Sequence, residues 1–177
     1  MTRIDYPKKH RLGHFYPRHT GYEKVGSYRG LQIWGDFDDD ECILLEVVSP
    51  SPIKNKYVRI MTIDLSRSQY GDQVWEVGTT VISTAYQGFG LAPKIYRYLM
   101  KKMGITLQAG NSQSIGGRSI WHSLSKFDDV IILGKRFRKP LMVLEADEYE
   151  KELTTGIDKF EIYDSAGFSA FASYNAA

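Results

Sequence analysis

The sequence predicts an α/β (α+β) fold in which helices lie on the faces of a mixed sheet. Three observations carry this. From residue 31 the chain reads as successive strand-like runs bounded by turn residues. The β-branched run that begins at Val74 breaks at Gln87–Gly88–Phe89–Gly90 and resumes with a helical period, Leu91, Ile95, Leu99 and Met103 recurring every four residues. Beyond that helix, strand-like and helical segments alternate, so the strands come first and the αβ alternation later.

Leu31–Gln32–Ile33–Trp34 is a short alternating strand, and the acidic stretch Asp36 to Glu41 after it is a turn. Asp38, Asp39 and Asp40 lack the glycine and ligand spacing of an EF-hand loop, so a solvated hairpin turn is expected. Ile43–Leu44–Leu45–Glu46–Val47–Val48 is the second strand, ended by Ser49–Pro50–Ser51–Pro52. The third runs from Tyr57 to Leu65, and a polar connection from Ser66 to Asp72 leads to the fourth. In the helix, Tyr98 is expected on the apolar face, Pro93 suits the first turn and Gly104 the far end. Ile105–Ala109 reads as a fifth strand, Gly110 to Gly117 as a Gly/Ser-rich loop, and Ser119 to Ser125 as a short helix. Val130–Leu133, a basic turn holding Lys135, Arg136, Arg138 and Lys139, and Leu141–Leu144 follow. After the acidic residues 145–152, Phe160–Tyr163 is a candidate last strand and residues 165–177 a small, polar C-terminal tail. The reading divides the chain into a basic arm (1–30), one domain (31–164) and that tail.

The 177 residues suffice for one domain with a real core. Hydrophobic residues at 42% and charged ones at 25% are ordinary for a soluble globular protein, and no apolar run is long enough to span a bilayer. The single cysteine, Cys42, excludes an internal disulfide, and its apolar neighbours predict a buried structural thiol. The cytoplasm is the expected compartment.

The net charge of +2 is unevenly spread. Residues 1–30 hold Arg3, Lys8, Lys9, Arg11, Arg18, Lys24 and Arg29 against Asp5 and Glu23, with His10, His14, His19 and several aromatics between them. Such interleaving can bind nucleic acid by phosphate contact and base stacking, or be a solvated arm packed through its aromatics. His10 and His14 share a helical spacing, but no third ligand accompanies them, so no metal site is expected.

The chemistry concentrates where the 74–82 strand turns into the helix. A strand feeding a glycine-containing turn that opens a helix leaves backbone N–H groups converging on one spot at the positive end of the helix dipole. Such a spot holds an anion such as a phosphate, and the same glycines also serve a tight βα connection that binds nothing.

Gln87–Gly88–Phe89–Gly90–Leu91–Ala92 resembles the Q/R-x-x-G-x-G/A signature of the GNAT N-acetyltransferase superfamily, with a strand before it and a helix after it. The order of elements from about 31 to 145 is similar to the GNAT order, and Gly110 to Trp121 is similar to a segment of phage-encoded GNAT-like proteins. The resemblance implies a mixed, mostly antiparallel central sheet with helices on both faces. It implies acetyl-CoA as cofactor, its pyrophosphate on the amides of Gly88, Phe89, Gly90, Leu91 and Ala92 with the Gln87 side chain, and its pantetheine arm along Val81, Ile82 and Ser83. A backbone N–H near Ile82 or Ser83 would polarise the thioester carbonyl. Lys94, Arg97 and Arg118 are candidates for the nucleotide's outer phosphate.

The attacking amine must be neutral, which calls for a base, and Glu76, eleven residues before Gln87, matches the offset of the catalytic glutamate in the histone-acetyltransferase branch. Alternation places Glu76 on one strand face with Gly78, Thr80 and Ile82. The family's acid is a tyrosine on the second helix; here the matching position holds Trp121, which cannot protonate a thiolate and suits the core or cofactor packing. His122, Ser83 and Tyr86 are the replacements on hand. The implied reaction is transfer of an acetyl group to a primary amine by direct attack in a ternary complex. The alternatives are a GNAT-like protein that modifies or binds nucleic acid, with the basic arm as its guide, and a binding protein that keeps the fold without catalysis. Pairing of the strands after residue 129 between subunits would give a homodimer. A phage origin would place the protein in host cytoplasm.

Overall fold

The computed structural model describes residues 13–17, 21–51, 56–110, 114–136, 142–143 and 168–175. The chain divides into two compact units, Met1–Asp64 with Thr79–Leu91, and Leu65–Gly78 with Ala92–Ala177. The candidate strand at 160–163, the acidic run 145–152, Arg138 and Lys139 lie outside the described residues, as do residues 1–12 and 18–20 of the arm.

In the first unit β2 (Glu23–Tyr28), β3 (Leu31–Asp36), β4 (Cys42–Pro50) and β5 (Tyr57–Arg67, through residue 64) lie side by side in that order, followed by the end of β6 (Val74–Ile82). The two-residue strand β1 (His14–Phe15) pairs with β5, Phe15 opposite Tyr57. The acidic segment is a hairpin turn as expected: the Asp36 carboxylate accepts from the Asp38 N–H at 3.2 Å and Asp39 from the Glu41 N–H at 2.8 Å. Ile33 pairs with Val47 and Gly35 with Leu45, so Ile33, Leu45 and Val47, all fully buried, fill one face. On the other face Trp34 stands opposite Glu46.

Glu46 is a carboxylate in the core, 2% exposed, and Arg59 Nε donates to both its oxygens at 3.0 Å. The Arg59 guanidinium also lies 5.6 Å from the Phe15 ring centre, and Phe15 packs on Tyr22 and Trp34. Burial pushes the Glu46 carboxyl up; Arg59 pulls it back down and Asp64 adds to the rise. Tyr22 is pushed up to about 12, first by burial and then by Glu46 and Asp36.

In the second unit β6 runs parallel to β7 (Thr106–Ala109), and β10 (Phe168–Tyr174) is inserted between β7 and β8 (Val130–Arg136), antiparallel to both. The short β9 (Met142–Val143) closes the order, antiparallel to β8. With one parallel pair among registers otherwise antiparallel, the fold is the mixed, mostly antiparallel sheet the sequence predicts, with two helices, α1 (Leu91–Met103) and α2 (Ile115–Leu124). A parallel pair requires a crossover, and α1 supplies it.

Five expectations are corrected. Cys42 is exposed, because it is the first residue of β4, next to the acidic turn, and the buried run begins at Ile43. The helix α1 buries Ala92, Pro93, Ile95, Tyr96, Leu99 and Met100, so Tyr96 and not Tyr98 faces the core. The helix α2 starts inside the stretch expected to be a loop, because Ser114 caps it by accepting the Gly117 N–H at 3.1 Å. The chain also forms β2 where a solvated arm is expected and β10 where a polar tail is expected. Phe171 and Ala172 of β10 are buried at 4% and 0%.

Candidate active site

β6 ends at Ile82, and the next residue turns back toward β5: the Ser83 N–H donates to the Ile60 carbonyl at 2.8 Å. Strand alternation directs the N–H and C=O of Ile82 to the opposite edge. There the Ile82 carbonyl accepts from Gln87 Nε2 at 2.9 Å, so the glutamine side chain folds back over the turn it initiates. The chain between them is a 3-10 turn, Thr84–Tyr86, in which the Tyr86 N–H donates to the Ser83 carbonyl at 2.8 Å. The Ser83 hydroxyl takes no part in capping it.

Gly88 and Gly90 then adopt φ of 81° and 66°, the left-handed region that side chains with a Cβ resist. Among the described residues no hydrogen bond is found from the N–H of Gly88, Gly90 or Leu91. A Cβ built on Gly88 meets nothing within 4 Å, so this backbone is open to a ligand. Phe89 is 74% exposed between the two glycines. From Leu91 the chain continues as α1, whose first turn holds no acidic residue and includes Lys94. A helix start leaves its first N–H groups unpaired, and Pro93 at this end has none to waste. Backbone donors at a helix start with no acidic residue in its first turn suit an anion such as a phosphate.

In the second unit Glu76 is opposite Gln108 in the parallel β6–β7 register, which ends at Val77 and Ala109. Gln108 Nε2 donates to Glu76 Oε2 at 3.4 Å, and the Ser68 hydroxyl donates to Gln108 Oε1 at 2.5 Å. Ser68 and Gln108 are 7% and 4% exposed, while Glu76 is half-buried. Neither Ser68 nor Gln108 is singled out by the sequence. The only signal was a polar residue in the middle of an apolar strand, Leu107–Gln108–Ala109.

Of the remaining predicted residues, Val81, Ile82, Ser83 and Gln87 through Leu91 are contiguous on the strand end and turn. Trp121 is 2% exposed and packs on Tyr96, ring centres 6.4 Å apart, so it has little surface to offer a cofactor. His122 is half-buried one residue further along α2, its carbonyl accepting from Ser125 Oγ at 2.7 Å. Arg97 is engaged with Asp129, Nε to Oδ1 at 2.7 Å, and lies over the Phe127 ring at 5.0 Å. Lys94 and Arg118 are half-buried. Arg3, Lys8, Lys9, Arg11 and Arg18, on which a nucleic-acid reading rests, lie outside the described residues. Among the described residues no three His, Cys, Asp or Glu cluster as metal ligands, and no helix is long and apolar enough to cross a membrane.

No family model matches the chain, and no curated protein matches it. Among solved structures it is similar to a spermidine N-acetyltransferase from Vibrio cholerae in complex with CoA and spermine, at 8% identity over 76% of this chain, with a TM-score of 0.41. It is also similar to a putative GNAT-family acetyltransferase from Bacteroides thetaiotaomicron, at 12% identity over 84% of this chain, with a TM-score of 0.35. The matches span 66% and 64% of those two chains.

Proposed function

We propose that the chain is an acyl-coenzyme A-dependent N-acyltransferase that acylates a primary amine, acetyl being the group the signature favours. The observation that carries this is the turn Gln87–Leu91, where open amides without acceptors follow a strand and begin a helix within the sequence Q-x-x-G-x-A. Coenzyme A would supply the acyl group as an activated thioester. The amides of Gly88 to Leu91 and the start of α1 would hold its pyrophosphate. The Ile82 N–H, directed away from β5, is the better donor to the thioester carbonyl oxygen, because the Ser83 N–H already serves Ile60. Gln87 then acts by bracing the end of β6 and not only as a phosphate ligand.

Glu76 is the base: its carboxylate takes one proton from the amine as the nitrogen bonds to the acyl carbon and the carbon–sulfur bond breaks. The departing thiolate can leave as such or take a proton from Ser83, Tyr86 or His122, of which Ser83 lies nearest in sequence to Ile82. Isothermal titration with acetyl-CoA tests the reading. Saturable one-site binding is expected, weakened about tenfold or more in Gly88→Val, which strains the left-handed turn and covers its amides. Absence of heat at millimolar cofactor overturns it.

A further inference from the structure

We propose that Gln108 and Ser68 are positioning residues for Glu76, forming a one-way chain of donors that holds one carboxylate oxygen and leaves the other to accept the amine proton. This rests on the reading of Glu76 as the base. The chain starts at the backbone. The Tyr70 N–H donates to Ser68 Oγ at 3.1 Å, so the hydroxyl's acceptor side is used and its own proton is directed onward. That proton goes to Gln108 Oε1. With the carbonyl end of the amide so fixed, its Nε2 end must face Glu76, and a flip would leave two acceptors, Gln108 Oε1 and Glu76 Oε2, opposed.

Both relay residues are almost completely buried, where a half-satisfied amide is costly, so the amide has one stable orientation. The parallel β6–β7 register supplies the rest, since Glu76 and Gln108 are paired residues. The carboxylate meets a neutral donor here, not a cation. Among the described residues Glu76 Oε1 has no partner, and this is the oxygen assigned to the amine proton.

The test measures release of the CoA thiol from acetyl-CoA, with the primary amine that gives the fastest turnover in a panel of aliphatic, aminoglycoside and peptide amines. Gln108→Leu is expected to lower kcat about tenfold to a hundredfold with the KM for acetyl-CoA changed less than twofold. In a Glu76→Gln background the same substitution should cost nothing further, because the residue it positions is already disabled. Ser68→Ala should lose about threefold to tenfold in kcat and Ser68→Thr should restore it, which also covers the case of Gln108→Leu failing to fold. Equal losses in both backgrounds, or a Gln108→Leu enzyme with wild-type kcat while Glu76→Gln is inactive, overturns the positioning role and leaves the acyltransferase reading standing. Full activity of Glu76→Gln, or no turnover with any amine, removes the base itself and this inference with it.

Discussion

Among the described residues each unit has a carboxylate on a strand that is held by a side-chain donor, and the two are held in different ways. Glu46 of β4 is 2% exposed, and both its oxygens accept from the guanidinium of Arg59. Glu76 of β6 is half-buried and, among the described residues, accepts from the neutral amide of Gln108 through one oxygen. A carboxylate whose two oxygens both accept from one cation is compensated by it and committed to that contact. A carboxylate oriented by a neutral donor keeps one oxygen for chemistry. The first arrangement builds structure and the second suits a base.

Exchanging the two roles by mutation breaks or upholds that contrast. Glu76→Gln is isosteric and should lower kcat by about 10²–10⁴-fold while the melting temperature changes by no more than a few degrees. Glu46→Gln should do the reverse: turnover stays within about threefold of wild type, and stability falls by roughly 1–3 kcal/mol as Arg59 loses its anion. Steady-state kinetics and thermal unfolding on the same two preparations decide it. If Glu46→Gln proves the inactive one, the carboxylates have been assigned the wrong way round.

Removing the cation has the larger effect on stability. Arg59→Met leaves Glu46 buried without a partner, and should cost about 3–5 kcal/mol at neutral pH. The pH dependence sharpens this. Burial raises the Glu46 carboxyl in the folded chain, and such a group contributes stability fully below its unfolded value and loses it as pH rises through its folded value. In Arg59→Met both lowering influences of the guanidinium disappear, so the folded value rises further and the window extends upward. The gap in melting temperature between wild type and variant should therefore narrow as pH falls from 7 toward 5. A constant gap would mean that Glu46 does not carry the penalty.

The sequence showed one of these carboxylates and hid its setting. Alternation located β3 to β6, and the helical period located α1, because each buries a continuous apolar face. The turn Gln87–Leu91 was legible for a local reason: its chemistry resides in backbone N–H groups that two glycines expose. Local pattern failed where burial came from partners distant in the chain. In β10, Phe168–Tyr174, small polar residues alternate with aromatics, and only insertion between β7 and β8 makes it a strand. Two glycines obscured the first turn of α2, where each costs about 1 kcal/mol against alanine. The Ser114 cap and the burial of Trp121 and Leu124 outweigh them. Ser68 and Gln108 are forty positions apart in the chain, and Glu76 meets Gln108 through the parallel register, so no spacing rule could join the three.

A third carboxylate extends the comparison to the surface, where the smallest effect is expected. Arg97 and Asp129 form an ion pair with side chains 44% and 26% exposed. The bond from Arg97, the largest influence, holds the Asp129 carboxyl below its usual range despite some desolvation. A lowered carboxyl contributes stability above its unfolded value and loses it as pH falls through its folded value, opposite in sign to Glu46. Because both partners reach water and salt, Asp129→Asn should cost less than about 1 kcal/mol at pH 7 and low salt, and less still in 0.5 M sodium chloride. Arg97→Ala should cost somewhat more, since it also removes the guanidinium from the Phe127 ring. Thermal unfolding of both variants between pH 7 and pH 3 separates the contributions. The Asp129→Asn difference should vanish in acid, whereas the excess of Arg97→Ala over it should persist. An Asp129→Asn difference that neither shrinks as pH falls toward 3 nor responds to salt would show that the exposed pair acts through packing and not through charge.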